Sequence, residues 1–213
     1  MVSVAKAASY IYKRYKEEKE TCIDEMKLHK LLYLSQRESI IVTGEPMFSA
    51  PFEAWKYGPV VVQVRDLYRR DALNELLTEV ELKVYKPVFD TVFANYADMD
   101  SWSLSNLTHS ETSWKNARKG LLPDDHCSNL LDMDDIRKDA EMIKMRRFFF
   151  EQVVPQLSEV SIQPLFRRSQ IDSVPFFKCE ATKVERFGLA SSRSALRDAS
   201  QDSLRSRSAR RDA

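Results

Sequence analysis

His29, Tyr33 and Gln36 follow one another at i, i+4 and i+7 through Lys27-Leu-His-Lys-Leu-Leu-Tyr33. On a helix they form one polar stripe beside the apolar arc of Leu28, Leu31 and Leu32. Such a stripe is a binding face if it stays open. Burial statistics alone leave His29 half exposed and Tyr33 packed with its hydroxyl at the surface. Further along, Phe52-Glu-Ala-Trp-Lys-Tyr-Gly-Pro-Val60 sets Glu53, Trp55 and Tyr57 on one face of a strand, with Lys56 between them. Aromatic residues in that pattern are core anchors before they are partner contacts. His109, Glu111 and Trp114 either line a polar pocket or belong to a hydrogen-bonded loop that fixes the next helix, and their types allow both.

Chemistry of other kinds finds little footing. No window has the glycine spacing that cradles a pyrophosphate or triphosphate, and no His-Glu-x-x-His pair occurs. His109 with Glu111, and Asp124-Asp-His-Cys127, lack further metal ligands at a recognisable spacing. Cys127 beside His126 points its side chain away from its neighbour in helix or strand, so the adjacency is no nucleophile pair. A hydrolase built on His109 and Glu111 would need a nucleophile that the sequence does not offer. The expectation is a protein that is not an enzyme, with no cofactor and no metal.

The elements that must position these residues are mainly helical. Among 213 residues there are four glycines and eight prolines, too few for the turns of an all-β sandwich or barrel. Val4, Ala8, Ile11, Tyr12 and Tyr15 recur at helical spacing from Ser3, and a second helix opens near Asp24 and ends at Gly44. Residues 45–57, with two prolines and four aromatics, read as a small hairpin or loop. Gly58-Pro59 then reads as the start of a third helix, because proline at a first helical position loses only an unpaired amide. Helices follow over Leu82–Tyr96, Ser101–His109 and Trp114–Lys119, and over Asp132–Gln152 with Ile136, Ala140, Ile143, Arg147 and Phe150 on one side. The fold class is therefore mainly α, a single helical domain over residues 1–154 with a short β-hairpin or extended segment. An irregular extension over 155–190 and a disordered Ser/Arg-rich tail over 191–213 follow it.

Charge divides the same way. The net charge is +1, yet residues 186–213 hold seven arginines against three aspartates, which leaves residues 1–185 at −3. Nucleic-acid binding is thus unexpected for the domain and open only to the tail. The three cysteines, Cys22, Cys127 and Cys179, suggest neither a disulfide framework nor a zinc site. No apolar run reaches signal-peptide or membrane-span length, so a cytoplasmic protein with no membrane partner is expected.

Several of these stretches also carry a family resemblance. Met26-Lys-Leu-His-Lys-Leu-Leu-Tyr33, Thr43-Gly-Glu-Pro46, Phe52 to Val60, Leu107-Thr-His-Ser-Glu111 and Trp114-Lys-Asn-Ala-Arg118 come in an order and spacing that resembles the Panacea domain. This family is also called SocA-like antitoxin or GepA-like phage-associated. The resemblance spans residues 5–120 and the helix to Phe150. Its shared positions fall here on Lys27, Leu28, Lys30, Leu31, Leu32, Tyr33, Trp55, Tyr57, Gly58, Pro59, Thr108, His109, Trp114 and Arg118. His29 stands where glutamine is usual, Leu34 where a second tyrosine is common, and Ser113 where proline or glycine often precedes the tryptophan.

The resemblance implies a mainly helical antitoxin of a toxin-antitoxin locus, often on prophages and mobile elements, that neutralises a toxin encoded nearby through protein contact. Partner-binding positions expected from the residues and the resemblance together are His29, Tyr33, Trp55, Lys56, Tyr57, His109, Glu111, Trp114 and Arg118. A variant has the tail tether the toxin for delivery to a protease. The alternative function is a DNA-binding regulator of its own operon.

Overall fold

Ser3 opens α1 (Val4–Lys19) by accepting the Ala5 amide, and Val4, Ala8, Ile11 and Tyr15 turn inward. Asp24 caps α2 (Glu25–Thr43) through the Lys27 N–H at 2.8 Å, and Gly44, at φ 81°, closes it with a bond to the Ile40 carbonyl. Both ends of α2 fall where capping chemistry requires. The computed structural model describes residues 1–153, so the extension assigned to 155–190 and the tail assigned to 191–213 lie outside the described residues.

A two-stranded antiparallel hairpin follows, β1 (Glu53–Trp55) and β2 (Gly58–Val60), then α3 (Val62–Arg69) and α4 (Glu79–Tyr96). The chain continues through α5 (Ser101–Ser110), α6 (Thr112–Ala117) and α7 (Met133–Phe148), which a single π-helical turn, Phe149–Val153, extends. Among the described residues the fold is mainly α, with the hairpin its one sheet. α2 runs through the middle and packs against α1, β2, α3, α4, α5 and α7. Leu28, Leu31, Leu32 and Leu34 meet Ile11, Phe48, Phe52, Val88, Phe89, Val92, Leu104 and Ile136 in one core.

Several boundaries differ from those the sequence pattern suggests. Pro59 does not start a helix; it sits in β2 opposite Ala54. Ala54 sends its N–H to the Asn129 carbonyl and its own carbonyl to Arg118, both away from β2, so the pair needs no proline amide. The α4 helix starts three residues earlier than its apolar spacing suggests, because Thr78 and Glu81 form a reciprocal capping box. Phe150 leaves the inward face of α7: it lies in the π-turn and is exposed, while Ile136 and Ala140 are buried as expected.

Gly58 joins the hairpin to α2. Its φ of 103° is costly for any other residue, and a Cβ there would stand 2.6 Å from Lys30 Cε and 2.7 Å from Thr108 Oγ1. Gly44 also has a positive φ, yet a Cβ on it would meet nothing within 4 Å. Gly58→Ala should therefore destabilise the domain by about 2–4 kcal/mol, from backbone strain and overpacking together. Gly44→Ala should cost roughly 1–2 kcal/mol, from the left-handed backbone alone. Urea unfolding of both variants checks the ranking, and equal midpoints would contradict it.

Candidate functional site

Every residue of α2 from Lys27 to Ile40 is buried, so its polar side chains must find partners inside the protein. Most do. Lys27 Nζ donates to the Tyr15 hydroxyl at 3.1 Å and the Ala97 carbonyl at 3.3 Å. Gln36 binds the backbone of Met47 and Phe48 through its amide NH₂ and its oxygen. Arg37 pairs with Glu111 and donates to the Tyr96 hydroxyl at 3.0 Å. Burial pushes the Glu111 carboxyl above its ordinary range, against the opposing pull of Arg37. Tyr33 bonds Ser113 Oγ at 2.9 Å and donates to Asp139, whose carboxylate also accepts the Thr112 and Ser113 amides at the start of α6.

His29 and Lys30 are the exceptions. His29 Nδ1 accepts the Val61 N–H at 3.4 Å, which leaves the proton on Nε2, and Nε2 has no partner among the described residues. Burial, then Lys30, Arg65 and Arg69, hold its pKa down to about 3, so the ring is neutral. Lys30 is 1% exposed. Among the described residues its ammonium donates to the Pro59 carbonyl at 3.3 Å and to no carboxylate. Burial lowers its pKa to about 7, with Asp24 a weak counterweight.

Both residues line a cavity of about 800 Å³ between α2, the hairpin and residues 124–128. Met26, Trp55, Tyr57, Val60 and Cys127 supply most of its apolar wall; Glu25, Glu53, Lys56, Arg69, Asp124 and His126 supply charge and polarity. Those charges are largely spoken for. Arg69 grips Glu25 with two nitrogens, Lys56 pairs with Asp124 at 2.6 Å, and Glu53 accepts the Trp55 indole N–H at 2.8 Å. The Arg65 guanidinium lies over the Trp55 ring, 5.0 Å from its centre. No group of three His, Cys, Asp or Glu among the described residues could hold a metal ion.

The nine residues expected from the sequence separate into three sets. Tyr33, Glu111 and Arg118 are interior and bond within the chain. The Tyr33 hydroxyl is not at the surface, and His29 is 1% exposed rather than half exposed, because α2 is covered on all sides. His29, Trp55, Lys56 and Tyr57 come together at the cavity, where Glu53 and Trp55 share a face of β1 while Tyr57, expected on that face too, lies in the hairpin turn. His109 and Trp114 stack at 4.0 Å and do not line it, although burial, then Lys30 and Arg118, hold the His109 pKa down to about 4. His109, Glu111 and Trp114 thus line no common pocket: Glu111 turns inward to Arg37, and Trp114 Nε1 donates to the Trp55 carbonyl. Arg118 spans the hairpin and the following loop, donating to the carbonyls of Ala54, Leu122, Pro123 and Asp125. Lys30 as a cavity residue was missed, although a signal exists: no Asp or Glu stands three or four positions from it on the helix.

Residues 28–115 match the family model described as antitoxin SocA-like, Panacea domain. This segment is similar to the Panacea domain. The match runs from α2 through the hairpin to α6, so it contains Lys30, His29 and the hairpin frame. No curated protein and no solved structure matches the chain.

Three bases with lowered pKa values, His29, His109 at about 4, and Lys30, give stability two pH windows. With His29 at about 3 in the fold and 6.5 when unfolded, the unfolded chain binds more protons between those values, and stability is lost as pH falls through them. With Lys30 at about 7 in the fold and 10.5 when unfolded, stability rises with pH between about 7 and 10.5. His29→Gln should make the first window shallower, with His109 keeping part of its slope, and Lys30→Met should flatten the second, by an amount on the order of a few kcal/mol at about 1.4 kcal/mol per pH unit. Urea midpoints from pH 4 to 10 for the three proteins read this directly, and parallel curves would refute it.

Proposed function

We propose that this chain is an antitoxin that neutralises a protein toxin, encoded nearby, by binding it directly in the cytoplasm. The observation that carries the reading is the match of residues 28–115 to the SocA-like Panacea domain. The hairpin tip is the favoured contact surface. Tyr57 is 46% exposed and Trp102 61% exposed, and their rings meet edge to face at 5.4 Å with Lys56 alongside. Exposed aromatic residues on a rigid support are the side chains that dominate protein interfaces. No catalytic step is needed for such a role, and delivery of the captured toxin to a protease would be a later event on the same complex.

A promoter-binding role draws on the arginines of residues 186–213, which lie outside the described residues, while residues 1–185 carry −3. The toxin reading is therefore preferred.

The test is co-expression with the product of the neighbouring gene, followed by capture of the tagged chain from surviving cells. Growth should be restored with a stoichiometric complex. Tyr57→Ala with Trp102→Ala should weaken that complex by about 2 kcal/mol or more, close to thirtyfold, without changing the melting temperature by more than a few degrees. Rescue with no complex would refute neutralisation by binding.

A further inference from the structure

The cavity beside Lys30 is built for something the protein itself does not supply. Two of its lining residues, His29 and Lys30, are buried and offer hydrogen-bond donors. His29 Nε2 carries a hydrogen with no acceptor among the described residues, and Lys30 gives one of its three hydrogens to a carbonyl. An unpartnered buried donor costs about 1–3 kcal/mol, and a buried ammonium without a counter-ion costs more. None of the cavity's acids bonds to Lys30: Arg69 holds Glu25, Lys56 holds Asp124, and Glu53 accepts the Trp55 indole N–H, which leaves its own charge in place. A trapped water could accept the hydrogen bonds but would not balance the charge. At about 800 Å³ the space lies within the range of small-molecule sites.

The wall adds a second requirement. Trp55 is fixed by its bond to Glu53 and by Arg65 across its ring, and with Tyr57 it offers flat apolar surface to the cavity. A ring can lie against such a surface at little entropic cost, because the indole is already held.

We propose that this cavity is a binding site for a small planar organic anion, whose phosphate or carboxylate oxygens accept from Lys30 Nζ and His29 Nε2 and whose ring lies against Trp55 and Tyr57. The site does not depend on the toxin reading. A charged oxyanion supplies the missing acceptors and the missing counter-charge at once. Gly58 supports the arrangement, since a side chain there would strike the Lys30 Cε and Nζ that must reach the ligand.

Titration calorimetry on the purified full chain, without any toxin, tests this. Probes are AMP for the phosphate source and indole-3-acetate for the carboxylate source, with adenosine, indole and inorganic phosphate as comparisons. At least one acid should bind at one per chain, with its neutral ring and inorganic phosphate at least about tenfold weaker. Binding of AMP alone assigns phosphate, of indole-3-acetate alone carboxylate, and of both a site that reads the shared chemistry. Lys30→Met should lose roughly ten- to a hundredfold in affinity while its unliganded unfolding midpoint near pH 7 equals or exceeds that of the wild type. Trp55→Leu, which keeps Lys30, should also bind more weakly. Failure of both acids at millimolar concentration would overturn the proposal. So would neutral rings binding as tightly as the acids, or undiminished binding by a folded Lys30→Met.

Discussion

A helix enclosed on every side cannot leave a charged side chain unanswered, and in this protein that constraint falls on α2. Fourteen consecutive residues from Lys27 to Ile40 are buried, and they include two lysines, an arginine, a glutamate, a histidine and a glutamine. Burying these groups unpaired would exceed the stability of a domain this size. The surrounding elements are therefore placed as much by polar partners as by apolar packing. Glu111 stands at the junction of α5 and α6, where it reaches Arg37. Asp139 on α7 serves both the start of α6 and Tyr33. Arg147, one helical stretch further on, pairs with Glu38 through both guanidinium nitrogens. Gln36 fixes the turn before the hairpin by binding the backbone of Met47 and Phe48.

The hairpin repeats the principle at smaller scale. Two strands of three residues are not stable alone in water. Here side chains from elsewhere answer its backbone. Arg118 takes the Ala54 carbonyl, Trp114 that of Trp55, Ser105 that of Tyr57, and Lys30 that of Pro59, while His29 accepts the Val61 amide. Along the outer edge of β1, Ala54 and Leu131 donate to Asn129 and Phe52. Three of the residues that carry the family resemblance, Lys30, Trp114 and Arg118, are thus donors to this one turn. Their types suit that role, since each is a long or rigid donor that crosses from a helix to a strand carbonyl.

That division explains what could be read from the sequence. Caps and apolar periodicity are local, so the ends of α2 at Asp24 and Gly44 and the inward face of α1 were legible. The shared face of Glu53 and Trp55 was legible for the same reason. What depends on a third element was not. Pro59 has good helix-starting chemistry, and only the outward direction of the Ala54 amide makes a strand suit it better. Tyr33 and His29 looked half exposed because their stripe is polar, whereas α7 and the hairpin cover it. The cavity escaped notice because its members come from α2, the hairpin, α3 and residues 124–128, far apart in the chain, and because an isolated cation among leucines reads as a solvated face until all faces are known to be buried.

The consequence for recognition follows from the same geometry. A frame made of side chain to backbone bonds constrains the residues that donate and says little about the side chains carried outward by the strands they hold. Lys56, Tyr57, Trp102 and the exposed residues 121–124 lie on that outward side, and changing exposed residues of this kind alters stability by little. Gly58, Trp114 and Arg118 thus support the hairpin without fixing what its outer surface presents. Tyr57 sits on both sides of this division: its carbonyl is held by Ser105 from within, and its ring is presented to the cavity and to Trp102 without. Affinity for a partner at the hairpin tip and occupancy of the cavity behind it would then act on one side chain, and any coupling between them must be reciprocal.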